Sequence, residues 1–264
     1  MSQLALAIAD GAVVAKRNLI KIKRVPDLLV WTTLSPIMFV LLFGYVFGSS
    51  ISIPGTSYRE YLIAGVFAQT VMFGSTFTGV GLAEDMTKGI IDRFRSLPMS
   101  RAAVLAGRTG SDIVLNSISV SVMTITGLVV GWRIHNGIVS AIAGFLLLLL
   151  FAYSISWVMA FIGLKVGRVE VVNNASFMVI FPLTFIANTF VRADKLPGVL
   201  QTIAEWNPVS SVTQAVRELF GNTGTLPEPT VWSLANPVIY TLIWVGIILA
   251  VFVPLSVWRY RRMS

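Results

Sequence analysis

Long apolar runs alternate with short polar segments along the whole chain. Six runs are long enough to cross the hydrocarbon of a bilayer as helices: residues 28–47, 61–82, 102–130, 137–164, 171–190 and 234–258. They are continuous rather than alternating, which predicts helices and not the strands of a membrane barrel. The pattern therefore predicts an all-α integral membrane protein, in which residues 1–264 form one domain with six transmembrane helices.

The chain starts with an amphipathic segment, residues 3–25, which Pro26 ends. Six apolar side chains of this segment fall within one arc of a helical wheel: Leu4, Ile8, Ala12, Ala15, Leu19 and Ile22. The lysines and arginines lie outside that arc. This arrangement predicts an N-terminal helix at the cytoplasmic membrane interface, with its basic side chains in water.

Residues 191–233, between the fifth and sixth runs, form a more polar segment of 43 residues. Two short apolar helical faces can be recognised in it, and Asn207-Pro208 separates them. The pattern predicts two short amphipathic or re-entrant helices on one side of the membrane.

The longest polar segment between two strongly apolar runs is residues 84–108. Met86, Ile90, Phe94 and Leu97 share one helical face, which predicts a helix over residues 86–97 that Pro98 ends. A short amphipathic helix between two spans is suited to dock a soluble partner or to lie among lipid headgroups. An ordinary cytoplasmic loop is the alternative, and the pattern alone leaves it open.

Orientation follows from the distribution of the 20 lysines and arginines. Fifteen fall on the side that holds both termini and residues 86–97, and five fall on the side that holds residues 191–233. Because basic residues accumulate on the cytoplasmic side, we expect a multi-pass protein of the cytoplasmic (inner) membrane with both termini in the cytoplasm. Residues 191–233 are then extracellular.

Composition agrees with a membrane protein: 55% of the residues are hydrophobic, 12% are charged, and the mean hydropathy is +0.80. The net charge of +8 lies at the membrane edges, where anionic lipid headgroups explain it without nucleic acid. The chain has no cysteine and a single histidine, His135, which excludes histidine triads and zinc clusters. No metal, cofactor or catalytic site is predicted.

The sequence contains no GxxxxGK[ST] string, so the chain is not expected to hold ATP through a P-loop or to be an enzyme. Any energy would come from a separate subunit or from an ion gradient. An ion-driven carrier normally places carboxylates at bilayer depth, and here Asp112 is the one acid well inside a run. This scarcity argues against such a carrier.

Asp112 shares a helical stripe with Arg108, Asn116 and Ser119. The stripe either lines a transport path or hinge, or Arg108 and Asp112 pair to seat the third span. We favour the pairing, because both residues lie near the cytoplasmic start of that span. Aromatic residues near span ends, such as Trp31, Tyr61, Trp132 and Trp258, are interpreted as interface anchors.

The string KGIIDRFRSLPMSR at residues 88–101, followed by AVLAGR and Asp112, resembles the permeases of type-two (type V) ABC exporters. The resemblance is closest to the daunorubicin-resistance (drug-efflux) group, and it extends over the N-terminal helix, the six spans and Asn207-Pro208. It implies a permease half that works with a second, identical or homologous permease and with two ATPase subunits, which bind the ATP and Mg.

In such permeases the segment between spans two and three contains the coupling helix, which docks into the ATPase. The resemblance therefore assigns ATPase coupling to Lys88, Gly89, Ile90, Asp92, Arg93, Phe94, Arg95, Leu97 and Pro98. It also makes the N-terminal segment a connecting helix and residues 165–170 a minor second contact. The implied function is export of a hydrophobic or amphipathic drug, antibiotic or lipid. A glycan or polysaccharide-lipid exporter of the same class and a stand-alone secondary carrier are the alternatives.

Spans two and five are rich in small and polar residues, so we expect them to line the interface between permease halves. Candidate contacts for a transported molecule are Phe67, Phe73, Phe77, Phe177 and Phe181, with Asp112 and Asn116 as possible polar members. Ordinary packing is an equally open interpretation of these phenylalanines.

Overall fold

The computed structural model describes residues 3–24, 26–47, 53–96 and 101–263, of which most are helical and none forms a strand. The helices are α1 (Gln3–Arg24), α2 (Pro26–Leu41, continued by a π-helical turn, Leu42–Phe47), α3 (Tyr58–Gly74), α4 (Thr76–Thr87), α5 (Ile90–Ser96), α6 (Arg101–Val130), α7 (Gly137–Val166), α8 (Val169–Phe185), α9 (Gly198–Trp206), α10 (Pro208–Phe220), α11 (Trp232–Ala235) and α12 (Pro237–Arg262). The predicted all-α class is confirmed.

Four stretches in the described part are long and apolar enough to cross a membrane: α3 continued by α4, α6, α7 and α12. Two shorter apolar helical stretches, residues 34–46 and α8, accompany them. The 17 residues of α8 extend only about 26 Å, somewhat less than the roughly 30 Å of bilayer hydrocarbon. The fold is therefore that of a helical membrane protein.

The helix pair α3–α4 lies at the centre of the bundle, and 78% of its most apolar window is buried within this single chain. Glycines make this possible. A Cβ atom on Gly163 of α7 would lie 2.5 Å from the carbonyl oxygen of Gly79 on α4, so the two backbones touch. The small residues of the second span thus serve packing within the chain. They do not form a broad free face for a second permease, contrary to our expectation.

The half of the bundle next to α9 and α10, which we name the outer half after its predicted side, contains a large aromatic core. The ring of Phe67 lies 5.6 Å from that of Trp132 and 5.9 Å from that of Phe220. Trp132 is fully buried and donates a hydrogen bond to Asn222 Oδ1 at 2.8 Å, and Tyr61 is also buried. Tyr61 and Trp132 are therefore core residues, and their interpretation as interface anchors is wrong. Burial became possible because their polar atoms find partners inside the protein.

Three element boundaries differ from the sequence prediction, each at an identifiable chain break. The predicted helix 86–97 begins only at Ile90, because α4 runs to Thr87 and Gly89 adopts a left-handed conformation with φ +64°. Helix α8 ends at Phe185, five residues before the predicted end of the fifth span, and the chain turns there. The last helix begins at Pro237 after a break at Asn236.

The two helices of the outer segment take different positions. Helix α9 is amphipathic and leaves Val199, Ile203 and other apolar residues exposed. Helix α10 enters the bundle, and most of its residues are buried. Asn207 fixes its start, accepting a hydrogen bond from Val209 N at 2.8 Å and donating one to the Leu183 carbonyl at 2.7 Å. One of the two helices thus lies on the surface of the bundle and the other is buried in it.

Candidate functional site

Helix α5 packs one side against the bundle. Ile91 is 2% exposed and belongs to an apolar cluster with Leu82 of α4 and Leu105 of α6, against which Phe94 is half-buried. The predicted apolar face, by contrast, was centred on Ile90, which is only partly buried. The apolar side of α5 therefore holds the helix on its own chain. Leu97 and Pro98, together with the side chain of Arg95, lie outside the described residues.

The opposite side of α5 and the turn before it are polar. The side chains of Asp92, Arg93 and Ser96 are exposed, as is that of Lys88. Lys88 Nζ donates a hydrogen bond to Glu84 Oε1 at 2.6 Å, and this contact raises the pKa of Lys88, which keeps the ammonium charged. Gly89 has open space around it, so its role here is the left-handed turn. A partner approaching α5 meets charged and hydroxyl groups.

Arg17 of α1 connects α5 to the rest of the bundle. Its guanidinium lies 5.0 Å from the ring centroid of Phe94, and its Nη2 is 2.5 Å from Oδ2 of Asp85 on α4. The Asp85 side chain is 8% exposed, so its charge needs this partner. One arginine thus joins three helices, α1, α4 and α5. No sequence pattern predicted this contact, because its two partners are 68 residues apart in the chain.

Helix α1 is also fixed to α6 by a close backbone approach. A Cβ atom on Gly107 would lie 2.3 Å from the carbonyl oxygen of Gly11. Asn18, which is 4% exposed, donates from Nδ2 to Ser111 Oγ at 3.1 Å. The N-terminal helix is therefore packed on the bundle through glycine and asparagine, and it does not rest on lipid alone.

Arg108 and Asp112 form the buried ion pair that we favoured from the sequence, with 4.0 Å between Nε and Oδ2. Asp112 also accepts a hydrogen bond from Thr78 Oγ1, and Arg108 Nη2 donates to the Phe77 carbonyl at 2.8 Å. The guanidinium lies directly on Gly81, where a Cβ atom would come within 1.8 Å of Nη2. These partners lie on α4, so the pair joins α6 to the centre of the bundle.

Asn116 continues this stripe one turn further along α6. Its Nδ2 donates to the Asp112 carbonyl at 3.0 Å, and its buried Oδ1 lies where a Cβ of Gly74 would be, at 2.2 Å. Asp112 and Asn116 are 3% and 1% exposed. In this conformation both side chains therefore lie between helices and not on an open path.

Several candidate phenylalanines form a continuous aromatic surface, the aromatic ladder. The ring of Phe73 lies 5.8 Å from that of Phe177, which stacks on Phe181 at 5.2 Å. Four further rings continue the ladder toward α2: Phe185, Phe190, Phe43 and Phe39. Phe177 is 56% exposed and Phe181 is 37% exposed, so the ladder borders a free surface of α8.

The other two candidates lie apart from the ladder. Phe77 follows Phe73 by one helical turn and is half-buried. Phe67 is fully buried in the outer aromatic core, so a transported molecule could reach it only if that core opened.

A second buried arginine, Arg217 of α10, organises the outer end of the bundle. Its Nε donates to the Tyr61 carbonyl at 3.1 Å and its Nη2 to the Asn188 carbonyl at 3.0 Å. The guanidinium also lies 3.5 Å from the centroid of the Tyr61 ring, whose hydroxyl donates to Asn188 Oδ1 at 2.6 Å. From the sequence, Arg217 is one of the five basic residues on the side that holds residues 191–233, and no local pattern marks it as buried.

The fold, with a packed N-terminal helix, a short helix between two central apolar helices and the buried helix α10, is that of a helical membrane protein and is compatible with a permease. Comparison with known proteins makes the class specific. Residues 11–220 match the family of ABC-2 type transporters, and the chain belongs to this family. An ABC-2 permease is the membrane subunit of an ABC transporter, which implies an ATPase partner.

Individual relatives cover most of the chain. The chain is 32% identical over 248 residues to the daunorubicin resistance ABC transporter permease protein DrrB1 of Streptomyces coeruleorubidus, covering 94% of this chain and 84% of that protein. It is 25% identical to the probable doxorubicin resistance ABC transporter permease protein DrrC of Mycobacterium tuberculosis, over 87% of this chain and 80% of that protein. A putative transport permease, ycf38 of Cyanophora paradoxa, is 25% identical over 86% of this chain and 80% of its own length.

Proposed function

We propose that this chain is the permease half of a drug-efflux ABC exporter, which moves a hydrophobic or amphipathic molecule out across the cytoplasmic membrane. The observation that carries the proposal is α5: its apolar side is packed on its own bundle while its polar side is exposed to solvent, in a chain of the ABC-2 family. The names of DrrB1 and DrrC favour a drug as the substrate over a glycan-lipid.

In the assembled transporter, two copies of an ABC ATPase and a second permease complete the machinery. ATP and Mg are bound by the ATPases, and this chain itself binds no cofactor. The exposed polar side of α5 is the main docking surface, where Asp92 and Arg93 set the register with the partner. The minor contact would involve Lys165 at the end of α7 and Glu170 at the start of α8, which are both exposed.

We further propose six spans, formed by α2 with its π-helical turn, α3–α4, α6, α7, α8 and α12. The lysine and arginine distribution supports cytoplasmic termini and an extracellular α9–α10 segment. Because the chain has no cysteine, a single Thr225→Cys substitution in the outer loop reports on this topology. Labelling of that cysteine by an impermeant maleimide should occur in intact cells.

The aromatic ladder is the proposed apolar wall of the transport path, and α8 is the surface that faces the second permease. Exposed aromatic faces suit apolar, aromatic cargo because they offer large contact areas without demanding hydrogen bonds. Asp112 already forms an ion pair with Arg108 and accepts a hydrogen bond from Thr78, which argues against its use as the ion site of a secondary carrier.

The test is co-expression of the chain with its ABC ATPase, followed by purification and reconstitution into liposomes. Daunorubicin should stimulate ATP hydrolysis, and its transport should stop when the Walker-B glutamate of the ATPase is replaced by glutamine. Equal transport by the two complexes would identify a secondary carrier instead.

A further inference from the structure

The outer end of the bundle contains a cavity of about 540 Å³, within the usual size range of small-molecule sites. Its buried base is formed by residues of α3 and α10, and the other lining residues come from α9, α11 and the two segments that connect α8 to α9 and α10 to α11. The cavity lies on the side opposite to α5 and apart from the aromatic ladder. Neither the ATPase contact nor the transport path proposed above uses it.

One wall of the cavity is apolar and its base is polar. Leu226, Val231 and Leu234 contribute to the apolar wall. At the base, Gln214 and Arg217 are 8% and 0% exposed, so their polar atoms are held by the protein and not by bulk water. A molecule that fits such a space has an apolar body and a polar or charged end.

The charges around the cavity are not balanced. Four carboxylates line it, Asp194, Glu205, Glu218 and Glu228, together with two arginines, Arg192 and Arg217. Arg192 is paired with Asp194, to which it donates two hydrogen bonds of 2.9 and 2.7 Å. Arg217 donates its short bonds to the carbonyls of Tyr61 and Asn188 and none to a carboxylate.

The remaining three carboxylates have no ion-pair partner in the part of the chain that the structure describes. Glu205 accepts a hydrogen bond from Gln201 at 2.7 Å, and Glu218 accepts one from Gln214 at 2.9 Å. Both donors are neutral amides, which orient the carboxylates without neutralising them. Burial raises the pKa of Glu218, because the partly buried carboxylate is poorly solvated.

These carboxylates are also too far apart for a metal site. Among the described residues, no group of three acidic or histidine side chains could hold a metal ion. The negative charge is instead spread around a space of about 540 Å³ with an apolar wall. A small inorganic ion would contact too few of these groups, whereas an organic cation could contact both the wall and the carboxylates.

We propose that this outer cavity binds organic cations with an apolar body, through Glu205 and Glu228 at its rim and the apolar wall beside them. Binding requires only this chain. The further step, that such a cation is the exported molecule on its way out, rests on the function proposed above.

The test uses two ions of nearly the same shape and opposite charge, tetraphenylphosphonium and tetraphenylborate. Their binding to the purified permease is measured by equilibrium dialysis, and partition into empty micelles is subtracted. Each ion is measured by itself, because the two precipitate together, and we expect saturable binding of tetraphenylphosphonium and none of tetraphenylborate. The double variant Glu205→Gln, Glu228→Gln should bind the cation about tenfold more weakly or worse.

Two single variants keep the test decisive. Glu60→Gln removes an outer carboxylate that does not line the cavity and is paired with His135, so it should bind the cation as the wild type does. Thr230→Arg places a cation at the exposed rim and should abolish binding. Equal binding of the two ions, or unchanged binding in both the double variant and Thr230→Arg, overturns the proposal.

The same variants separate this proposal from the proposed function. If the permease binds tetraphenylphosphonium as expected but the complex with the ATPase does not export drug, the cavity stands and the exporter function fails. If drug export depends on ATP while the cavity variants bind the cation normally, the exporter function stands and the cavity proposal fails.

Discussion

Arg108 and Arg217 are both buried in the bundle, at its two opposite ends, but they are held in different ways. Arg217 is bound by two backbone carbonyls and stacks on an aromatic ring. Arg108 lies on a glycine and is shared between one carbonyl and side chains, including Asp112 and, at 3.5 Å, Asn18 Oδ1 of α1.

The difference indicates how the two ends behave. Backbone carbonyls of packed segments cannot turn away, so the outer arginine fixes α10 to α3 and to the turn after α8 in one arrangement. Side-chain partners can exchange, and those of the inner end continue through α1 to Arg17, which contacts Asp85 and the ring of Phe94. We infer that the inner end is adjustable in response to α5, and that the outer end is a fixed anchor.

The largest expected effect is that of Arg217→Met. It removes two charge-assisted hydrogen bonds and the stacking on Tyr61, and it leaves a buried carbonyl without its donor. We expect the free energy of unfolding to fall by about 3–5 kcal/mol. Unfolding in mixed detergent micelles, followed by circular dichroism, measures it. Arg217→Lys, which retains the charge but loses the planar fork, should be intermediate; a loss below about 1 kcal/mol for Met would contradict the anchor.

The next largest effect is expected at Gly81, against which the Arg108 guanidinium packs. The side chain introduced by Gly81→Ala occupies the position of the Arg108 guanidinium, which must then give up its bond to Phe77 and its contact with Asp112. We expect a loss of about 1–3 kcal/mol in the same assay.

Gly110→Ala is the matched control for this substitution. Gly110 also lies within a helix, but nothing is within 4 Å of an added Cβ atom. It should therefore be neutral or stabilise the protein by up to about 1 kcal/mol, because alanine is the better helix former. Equal losses for the two glycines would show that the position of Arg108 is not tight.

The smallest effect on stability concerns Arg17 and Asp85. A double-mutant cycle with Arg17→Gln and Asp85→Asn should give a coupling energy of only about 0.5–1 kcal/mol, because the arginine side chain is 34% exposed. If the inner end transmits movement, each single variant should lower the amount of drug transported per ATP hydrolysed while the free energy of unfolding changes little. Parallel losses of both would assign this contact to structure alone.

The sequence was most informative where an apolar run is long. Helices α6 and α7 are continuous apolar runs of 30 residues, and α6 starts within one residue of the position the pattern predicts, while α7 starts at the predicted residue. The face of α5 was misplaced because Met86 and Ile90 belong to two helices, separated by the left-handed Gly89. A helical wheel drawn across such a break assigns the wrong side.

The polar contacts could not be read from the sequence for a different reason. Arg108 and Asp112 are one turn apart on one helix, so their pairing follows from helix geometry. Arg17 meets Asp85, and Arg217 meets Tyr61, only after distant helices pack. Nothing in the local pattern around these residues distinguishes a buried arginine from a solvated one.

The central claim is that α5 presents its polar side to an ATPase and keeps its apolar side on its own bundle. Single cysteines in this cysteine-free chain test it directly. With a short bifunctional thiol–amine reagent, Arg93→Cys and Ser96→Cys should cross-link to the co-purified ATPase. The matched control Ile91→Cys, two residues from Arg93 but 2% exposed, should not. Cross-linking at Ile91→Cys alone, or at none of the three positions while the ATPase still co-purifies, would contradict the account.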